Sequence, residues 1–507
     1  MLQSKETPYS KVVRDRIVLV IALFVFCLGA PLFLYTTRVH RADLPVLELD
    51  QRVETFADSV KFRIPVYVNS TNEAAIAQIQ SATDNYISTT TNLDLLWSLE
   101  FRPYTQEIDS YQDYVLSLIE DDESSLDHLT QSFVLSPFSK GITVVLPSSL
   151  SISNVSQYVT EVLFNQVFGS EIQMFSALKS NSLSSDMSFP YSTVFNVVFN
   201  LFVQDGTPVD WAIAEAVPLM QPIFQALQHY CKFKVSTQIQ YYSKLTNEPT
   251  FNEEQNANII SQENLPTFVN FGDWNLHNHE VTPSINFVIY FSELNYENIP
   301  LLVEGSETNS FSIPQWGGVY IYNPALPPLE GSRIKISESE LNKILDIFAS
   351  QLFELLGVPS EPVSPLMRID SFQRFSSYKN LKRSLDNLSA LVKLSNSLIG
   401  ISIPEATKTN VVDSMARFDE AVQNLSVADF SHALENSGIS LESSDKAFFE
   451  KEMLQQAHFP NEHKLAIFLP LLGPICSIVL FGILKRFIAW KKNRSALSQT
   501  EKAKKEI

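Results

Sequence analysis

His229 and Cys231 are the residues that could act as a base and a nucleophile in this chain, because they stand two positions apart. A cysteine attacks an acyl carbon when a neighbouring imidazole helps to remove the thiol proton. Catalytic pairs of this kind are brought together by the fold, however, and have no general spacing in the sequence. We therefore expect a buried free thiol at Cys231. A disulfide from Cys231 to another chain is the alternative.

Two further segments carry side chains that could bind a metal ion. His277 and His279 would share one face of a strand, so both imidazoles could reach the same ion. Residues 120–123 read EDDE and offer oxygen ligands for Ca²⁺, but they lack the spaced ligands and the turn glycine of a calcium loop. An isolated pair and an unspaced acidic run are typical of polar loops, so we expect no metal and no cofactor.

Composition excludes several other classes of protein. The 507 residues contain 14 glycines, none in a G-x-G spacing, which excludes the dinucleotide-binding and Walker A loops. The motifs H-E-x-x-H, G-x-S-x-G and C-x-x-C are absent. Three cysteines cannot form a disulfide framework, and a net charge of −19 argues against nucleic acid as a partner. No catalytic site is predicted.

The elements that would position these residues fall into two regions. Between residues 36 and 360, apolar runs typical of strands alternate with periodic segments typical of helices. The strands are predicted at 64–68, 142–146, 194–203, 233–241 and 285–291. The helices are predicted at 153–168, 209–227 and 337–356, the second of them with a kink at Pro218. This mixed order predicts an α/β fold with a helix-flanked β-sheet.

From 361 to 464 the strand pattern is absent and apolar residues recur every three or four positions. The spacing predicts two long helices, covering about 368–391 and 412–433, and a third helix near 447–454. Stripes of this kind belong to a helical core or to a surface that packs against a partner subunit.

The two ends carry long apolar segments, at 17–35 and 465–484, with no charged residue in either. About 20 apolar residues are enough to cross a bilayer as a helix. The basic flanks 1–16 and 485–507 place both termini in the cytosol by the positive-inside rule. The flanks carry net charges of +2 and +6, so the large domain at 36–464 carries about −27 on the lumenal side.

Two short signals indicate the endoplasmic reticulum. Lys504 and Lys505 lie four and three places from the C-terminus, as in the dilysine retrieval signal of membrane proteins of that compartment. Four N-x-S/T sequons, the acceptors of N-glycans, fall in the predicted lumenal domain. They are Asn69, Asn154, Asn387 and Asn424.

Three stretches together resemble the PIG-S family of glycosylphosphatidylinositol (GPI) transamidase subunits. They are TTRVHRADLP at 36–45, FSIPQWGGVYIYNP at 311–324 and HFPNEHKLAIFLPLLGP at 458–474. The predicted layout, with two membrane anchors around one large lumenal domain, also resembles that family. Within the second stretch, Trp316, Gly317, Gly318 and Tyr320 fit a turn that leads into a strand, either as a hairpin corner in the core or as a contact with a partner.

The resemblance implies a subunit without catalysis of its own in the endoplasmic reticulum membrane. A caspase-like partner would cut the substrate and join it to the GPI anchor, and PIG-T-, PIG-U- and Gaa-like subunits would complete the complex alongside membrane lipids. Two other interpretations stay open. One is a lumenal hydrolase that uses Cys231 or the H-x-H pair, and the other is an acidic cargo receptor that is recycled by its dilysine tail.

Overall fold

A computed structural model of the chain describes residues 8–29, 31–32, 35, 40–70, 73–91, 93, 96–121, 132–147, 151–179, 188–268, 282–293, 299–324, 334–397, 402–451, 453, 470, 473–474, 477–488, 490–491 and 494. The chain forms two compact units. The larger comprises Leu47–Asp386 and Asp413–Ser444, and the smaller comprises Met1–Val46, Asn387–Val412 and Asp445–Ile507.

The first sheet of the larger unit has five strands in the order β2-β1-β3-β5-β4. They are β1 Phe62–Asn69, β2 Trp97–Pro103, β3 Tyr114–Asp121, β4 Ser132–Leu135 and β5 Gly141–Pro147. All pairings are parallel except that of β4 with β5. In β1 the residues Phe62, Ile64 and Val66 are buried and alternate with more exposed neighbours, as expected for a strand with one face on the core.

The second sheet follows in the chain and has the order β13-β14-β11-β6-β8. Its central strands β6 and β11 are buried almost throughout, which fits their continuous apolar sequences. The strands after β5 are β6 Val194–Val203, β7 Val209–Asp210, β8 Lys232–Gln240, β9 Thr250–Asn252, β10 Ala257–Ile260, β11 Ser284–Phe291, β12 Leu301–Val303, β13 Ser310–Ile313, β14 Gly317–Tyr322 and β15 Ile334–Lys335.

The two sheets have the same topology. In each sheet the first strand pairs with the second on one side and the third on the other, all in parallel. The last strand in the chain extends the sheet beyond the third, and the strand just before it pairs antiparallel at the edge. The chain therefore builds one five-stranded arrangement twice.

Eleven α-helices are seen among the described residues before position 450. They are α1 Pro8–Phe24, α2 Val46–Ser59, α3 Glu73–Tyr86, α4 Ile152–Val162, α5 Gly169–Lys179, α6 Ile213–Ala216, α7 Gln221–Ala226, α8 Glu338–Leu356, α9 Pro365–Ser397, α10 Glu405–Ser426 and α11 Phe430–Phe448. Single π-helical turns extend α1, α3 and α4, over Val25–Gly29, Ile87–Thr91 and Leu163–Val167. Short 3₁₀ helices cover Val217–Met220 and Gln262–Thr267.

Helix α8 begins and ends where its sequence indicates. The Ser337 hydroxyl accepts from the backbone N–H of Glu340, and the Glu340 carboxylate accepts from the N–H of Ser337, which forms a capping box. Gly357 closes the helix in the left-handed conformation with φ 85°. The helix buries Leu341, Leu352 and other apolar residues of its stripe against the second sheet.

Three predicted helices differ from the structure. The one near 447–454 is divided, because α11 ends at Phe448 and a turn follows at Phe449. The segment 209–227 begins as β7 and then divides into α6, a 3₁₀ turn and α7, because Pro218 and Pro222 interrupt the helical hydrogen bonding. The segment 412–433 is interrupted between α10 and α11. Ala428 there has φ 59°, and Asp429 caps α11 by accepting from the N–H of His432.

The smaller unit contains the described parts of both apolar ends. The chain is helical over 8–29 and over 477–488. At Gly482 the second segment lies so close to Val18 of α1 that an added Cβ would overlap the valine side chain. Among the described residues, no helix combines the length and the apolar content that a bilayer crossing requires.

Candidate functional site

Cys231 lies between α7 and β8 in the core of the second sheet. Its side chain is 3% exposed and belongs to the apolar cluster that contains Leu227 and Tyr230. Burial raises the pKa of the Cys231 thiol well above its ordinary value. A thiol is nucleophilic as the thiolate, so burial and the raised pKa both disfavour a nucleophilic role for Cys231.

His229 is held by helix α11. Its Nδ1 lies 3.3 Å from Oε2 of Glu435, and its ring meets the ring of His432 edge to face at 5.5 Å between centroids. His432 is in turn paired with Asp429 at 2.7 Å. The imidazole of His229 is therefore part of a polar cluster at the helix surface, and the structure gives it a carboxylate partner.

The predicted metal ligands are only partly visible. His277 and His279 lie outside the described residues, and of the EDDE run only Glu120 and Asp121 are described, at the end of β3. Within the ranges that the structure describes, no group of three or more histidine, cysteine, aspartate or glutamate residues could hold a metal ion.

One fully buried ion pair links α5 to α9. The Arg374 guanidinium donates from Nη2 to Oε2 of Glu171 at 2.6 Å and from Nε to Oε1 at 2.8 Å, and both side chains are 0% exposed. Trp97 Nε1 of β2 donates to Glu171 Oε1 at 2.9 Å, and the Ser371 hydroxyl donates to Oε2 at 2.8 Å. The carboxylate thus accepts four hydrogen bonds.

The ring of Tyr114 on β3 completes this network. Arg374 Nη2 lies 3.3 Å from the Tyr114 hydroxyl, and burial raises the pKa of that phenol although the arginine opposes the rise. Perturbed groups of this kind can mark active sites. Here the network has no exposed atom on either charged residue, so the arrangement positions α9 against the first sheet and does not receive a substrate.

Sequence reasoning did not single out Arg374 or Glu171. A signal was present, because Ser371, Arg374 and Tyr378 fall on one face of α9, within the predicted apolar stripe. A charged residue on such a face is expected to find a buried partner. The partner could not be read from the sequence, since Glu171 is 203 positions away.

The Trp-Gly-Gly segment forms the corner between β13 and β14. Trp316 is 8% exposed and packs with Phe311 and Val319, while Tyr320 is half-buried. An added Cβ on Gly317 would overlap the backbone of Asn286 in β11. The two glycines therefore allow close packing, because β14 lies directly against β11.

Gly318 lies against helix α8. A Cβ at this position would overlap the end of the Gln351 side chain, whose Nε2 donates to the Phe311 carbonyl at 3.1 Å. The same hydrogen bond joins α8 to β13. This corner thus lies in the core. Gly318 contacts the side chain of Gln351 in α8, whereas Gly317 contacts the backbone of Asn286 in β11.

The motif at 36–45 also makes internal contacts, within the smaller unit. Arg41 donates to the carbonyl of Ser395 at 2.6 Å and to its hydroxyl at 2.8 Å. The N–H of Ala42 donates to the carbonyl of Ile403 at 2.9 Å. The motif at 458–474 lies largely outside the described residues, as do Lys504 and Lys505.

The four sequons differ in accessibility. Asn69 is exposed at the end of β1, and Asn154 is exposed in the first turn of α4. Asn387 is half-buried, and its Nδ2 donates to Oδ1 of Asp445 at 2.7 Å. Asn424 is half-buried near the end of α10.

We predict that Arg374→Met destabilises the protein by about 3–5 kcal/mol, because it leaves the Glu171 charge buried without a counter-ion. Adding Glu171→Gln should recover part of the loss, since glutamine keeps the bond from Trp97. Thermal unfolding of the purified full chain in detergent measures both effects. Arg102→Met is the control, because the Arg102–Glu100 pair is exposed and such pairs contribute about 1 kcal/mol or less. Equal unfolding temperatures for Arg374→Met and Arg102→Met would contradict the assignment.

We predict that Gly317→Ala costs about 3 kcal/mol, because the new methyl group meets rigid backbone. Gly318→Ala should cost less. Gln351→Ala should rescue Gly318→Ala and not Gly317→Ala, because only Gly318 faces the Gln351 side chain. Thermal unfolding of the two single and two double variants tests this. Rescue of both glycine variants, or of neither, is incompatible with the described corner.

A family model described as phosphatidylinositol-glycan biosynthesis class S protein matches residues 20–493. The chain is 26% identical to the Saccharomyces cerevisiae protein named GPI transamidase component GPI17, over 91% of this chain and 89% of that protein.

Two other relatives are similar over most of their length. Identity is 25% to the Bos taurus protein named GPI-anchor transamidase component PIGS, over 94% of this chain and 96% of that protein. It is 24% to the Schizosaccharomyces pombe protein named GPI transamidase component PIG-S homolog, over 91% and 82%. Since the family model covers nearly the whole sequence, the chain belongs to the PIG-S family.

Proposed function

We propose that this chain is a non-catalytic, structural subunit of the GPI transamidase complex, which attaches GPI anchors to proteins. The observation that carries the proposal is the match of the family model from residue 20 to residue 493. The relatives that align over most of both chains are named components of GPI transamidase. A component of the complex is therefore the function that the family supports.

The non-catalytic role is supported by the state of the candidate nucleophile. Cys231 is buried and its thiol pKa is raised, while His229 pairs with Glu435. We infer that cleavage and transfer take place on a caspase-like partner subunit. PIG-T-, PIG-U- and Gaa-like subunits are the other expected partners, as the family resemblance implies.

The proposed location is the endoplasmic reticulum membrane, with two spans, both termini in the cytosol and the acidic domain in the lumen. Large apolar side chains are exposed along both ends of the chain, among them Val20, Phe24, Leu480 and Phe481. Such surface is costly in water and is favourable against lipid. The absence of a Cβ at Gly482 lets the two end segments approach, as small residues do in membrane helix pairs.

We predict that cells lacking the chain retain uncleaved GPI-anchored reporters and lose them from the surface. Wild-type chain should restore the surface reporter, and so should the triple variant Cys231→Ala, His277→Ala, His279→Ala, because the chemistry is expected on a partner. Flow cytometry of the reporter measures the rescue, and co-purification of the variant with its partners controls for assembly. Normal amounts of reporter at the surface of cells that lack the chain would contradict the proposal. So would a triple variant that co-purifies with its partners and yet does not restore the surface reporter.

We predict N-glycans on Asn69 and Asn154 and none on Asn387. The first two are exposed, whereas the nitrogen of Asn387 that would carry the sugar donates to Asp445. Endoglycosidase treatment should shift the wild-type chain on a gel, and Asn69→Gln and Asn154→Gln should each reduce the shift while Asn387→Gln leaves it unchanged. A wild-type chain that is insensitive to the enzyme argues against a lumenal domain.

A further inference from the structure

Strand β8 is the outer strand of the second sheet and is open on one side. Among the described residues it pairs only with β6, through nine consecutive residues. The N–H of Lys232 donates to the carbonyl of Thr193, just before β6, so the even-numbered residues of β8 direct their backbone groups to that strand. Alternate residues of a strand direct these groups to opposite sides. The residues whose N–H and C=O groups face away from the sheet are therefore Phe233, Val235, Thr237 and Ile239.

This outer edge lacks the features that usually protect such a strand. Within the ranges that the structure describes, none of the four outward-facing residues has a hydrogen bond on that side. Outer strands are normally short, bulged, interrupted by proline or covered, because an open row of backbone groups pairs with other strands. Strand β8 contains no proline, and its two lysines stand at its beginning, at 232 and 234. The edge from Val235 onward is long, regular and uncharged.

The first sheet shows how the equivalent edge is closed. Strand β2 holds the same place in that sheet, beside the first strand. Gln80 of α3 donates from Nε2 to the carbonyl of Leu99 at 2.9 Å, and its Oε1 accepts from the N–H of Phe101 at 2.9 Å. One side-chain amide thus occupies the outward groups that an added strand would use. The described part of the chain provides no such cover for β8, although the two sheets share a topology.

The side chains along the open edge form an apolar surface that ends in a cavity. Val235 and Ile239 lie on one face and are 40% and 45% exposed, although both are β-branched residues of the kind that strands pack against each other. A cavity of about 440 Å³ opens between the end of this face and the segment 208–214, with Trp211 and Tyr241 in its wall. Asp210 is the charged residue in a lining that is otherwise apolar or aromatic.

We propose that β8 binds an extended segment of another subunit of the transamidase complex as a sixth strand of the second sheet. Its backbone bonds the outward groups, and its apolar side chains alternate with polar ones so that one face packs on Val235 and Ile239. A large apolar side chain of the segment enters the cavity beside Tyr241. Backbone bonds supply affinity in this mode of recognition, and the cavity supplies specificity. The strand is taken from a partner subunit, so this role rests on the proposed function.

The cavity favours a partner of different sequence over a second copy of this chain. A symmetric antiparallel pair along the whole of β8 would bring Cys231 or Phe233 of the second copy opposite Tyr241. Cys231 is buried in its own core, and the ring of Phe233 packs on Phe224 of α7 at 4.8 Å between centroids. Neither side chain can reach the cavity, so a second copy would leave it unfilled.

The test compares amide hydrogen exchange in the full chain alone and in the transamidase complex purified through a tag on the chain, both in the same mild detergent. We expect the N–H groups of Val235, Thr237 and Ile239 to exchange about tenfold or more slowly in the complex, because a paired strand bonds them. The N–H groups of Ser236 and Gln238 face β6 and should be protected in both samples, which makes them the internal control.

Each other result overturns the proposal. Fast exchange at the three outward positions in a complex that contains the other subunits would overturn this role alone. A chain that co-purifies with no other transamidase subunit would overturn the proposed function and this role with it. Slow exchange in the chain alone would mean that the chain covers its own edge or, where the protection rises with concentration, that a second copy covers it.

A proline at position 237 tests the pairing directly. Thr237→Pro removes an outward N–H, and proline is tolerated in an outer strand on the side that faces away from the sheet. In the complex it should raise exchange at Val235 and Ile239 about tenfold or more, whereas the control Thr237→Val keeps the N–H and should leave both protected. Thermal unfolding of the chain alone checks that both variants fold. An assembled proline variant with wild-type protection at both positions would contradict the proposal, and the comparison of the wild-type samples stands whether or not this variant folds.

Discussion

The buried pair of Glu171 and Arg374 is the interaction on which the arrangement of the larger unit depends. Two charges at zero exposure need partners within the fold, because desolvation costs several kcal/mol for each ion. The Glu171 carboxylate accepts four hydrogen bonds, while Nη1 of Arg374 has no hydrogen-bond partner among the described residues and lies 4.0 Å from Oδ2 of Asp370. The partners come from separate elements: Trp97 from β2, Tyr114 from β3 and Ser371 from α9. Apolar burial alone would let α9 slide on the first sheet, whereas these directional bonds allow one register.

Local patterns predicted the elements well, because their signals lie within a few residues. A single local feature was enough to predict a strand or the end of a helix. Such features are the capping box of Ser337 and Glu340, the glycine after α8, and the apolar runs of β6 and β11. The interruption at Pro218 was predicted as a kink because proline identifies it, whereas the break of the longer periodicity at Ala428 was not predicted. The stripe of apolar residues continues across such a break, so periodicity cannot reveal it.

The doubled sheet and the sites between elements could not be predicted in this way. Strand order depends on pairings between distant segments, such as β6 with β11, and no local residue encodes them. The family motif was found as a pattern, yet its physical reason required the positions of Asn286 and Gln351. A Trp-Gly-Gly segment can mark a ligand loop or a packing corner. Only the overlap that a Cβ would make distinguishes the two.

A subunit without chemistry of its own is expected to satisfy its buried polar groups internally. Most of this chain follows that rule, for example the hydroxyls of Ser384, Ser414 and Ser440, which bond one another at full burial. Several buried polar atoms of the described residues depart from it, for example Oδ1 of Asn200 and Nδ2 of Asn380. Selection for stability alone would favour an apolar residue at such a position, because an unpaired buried amide destabilises the fold.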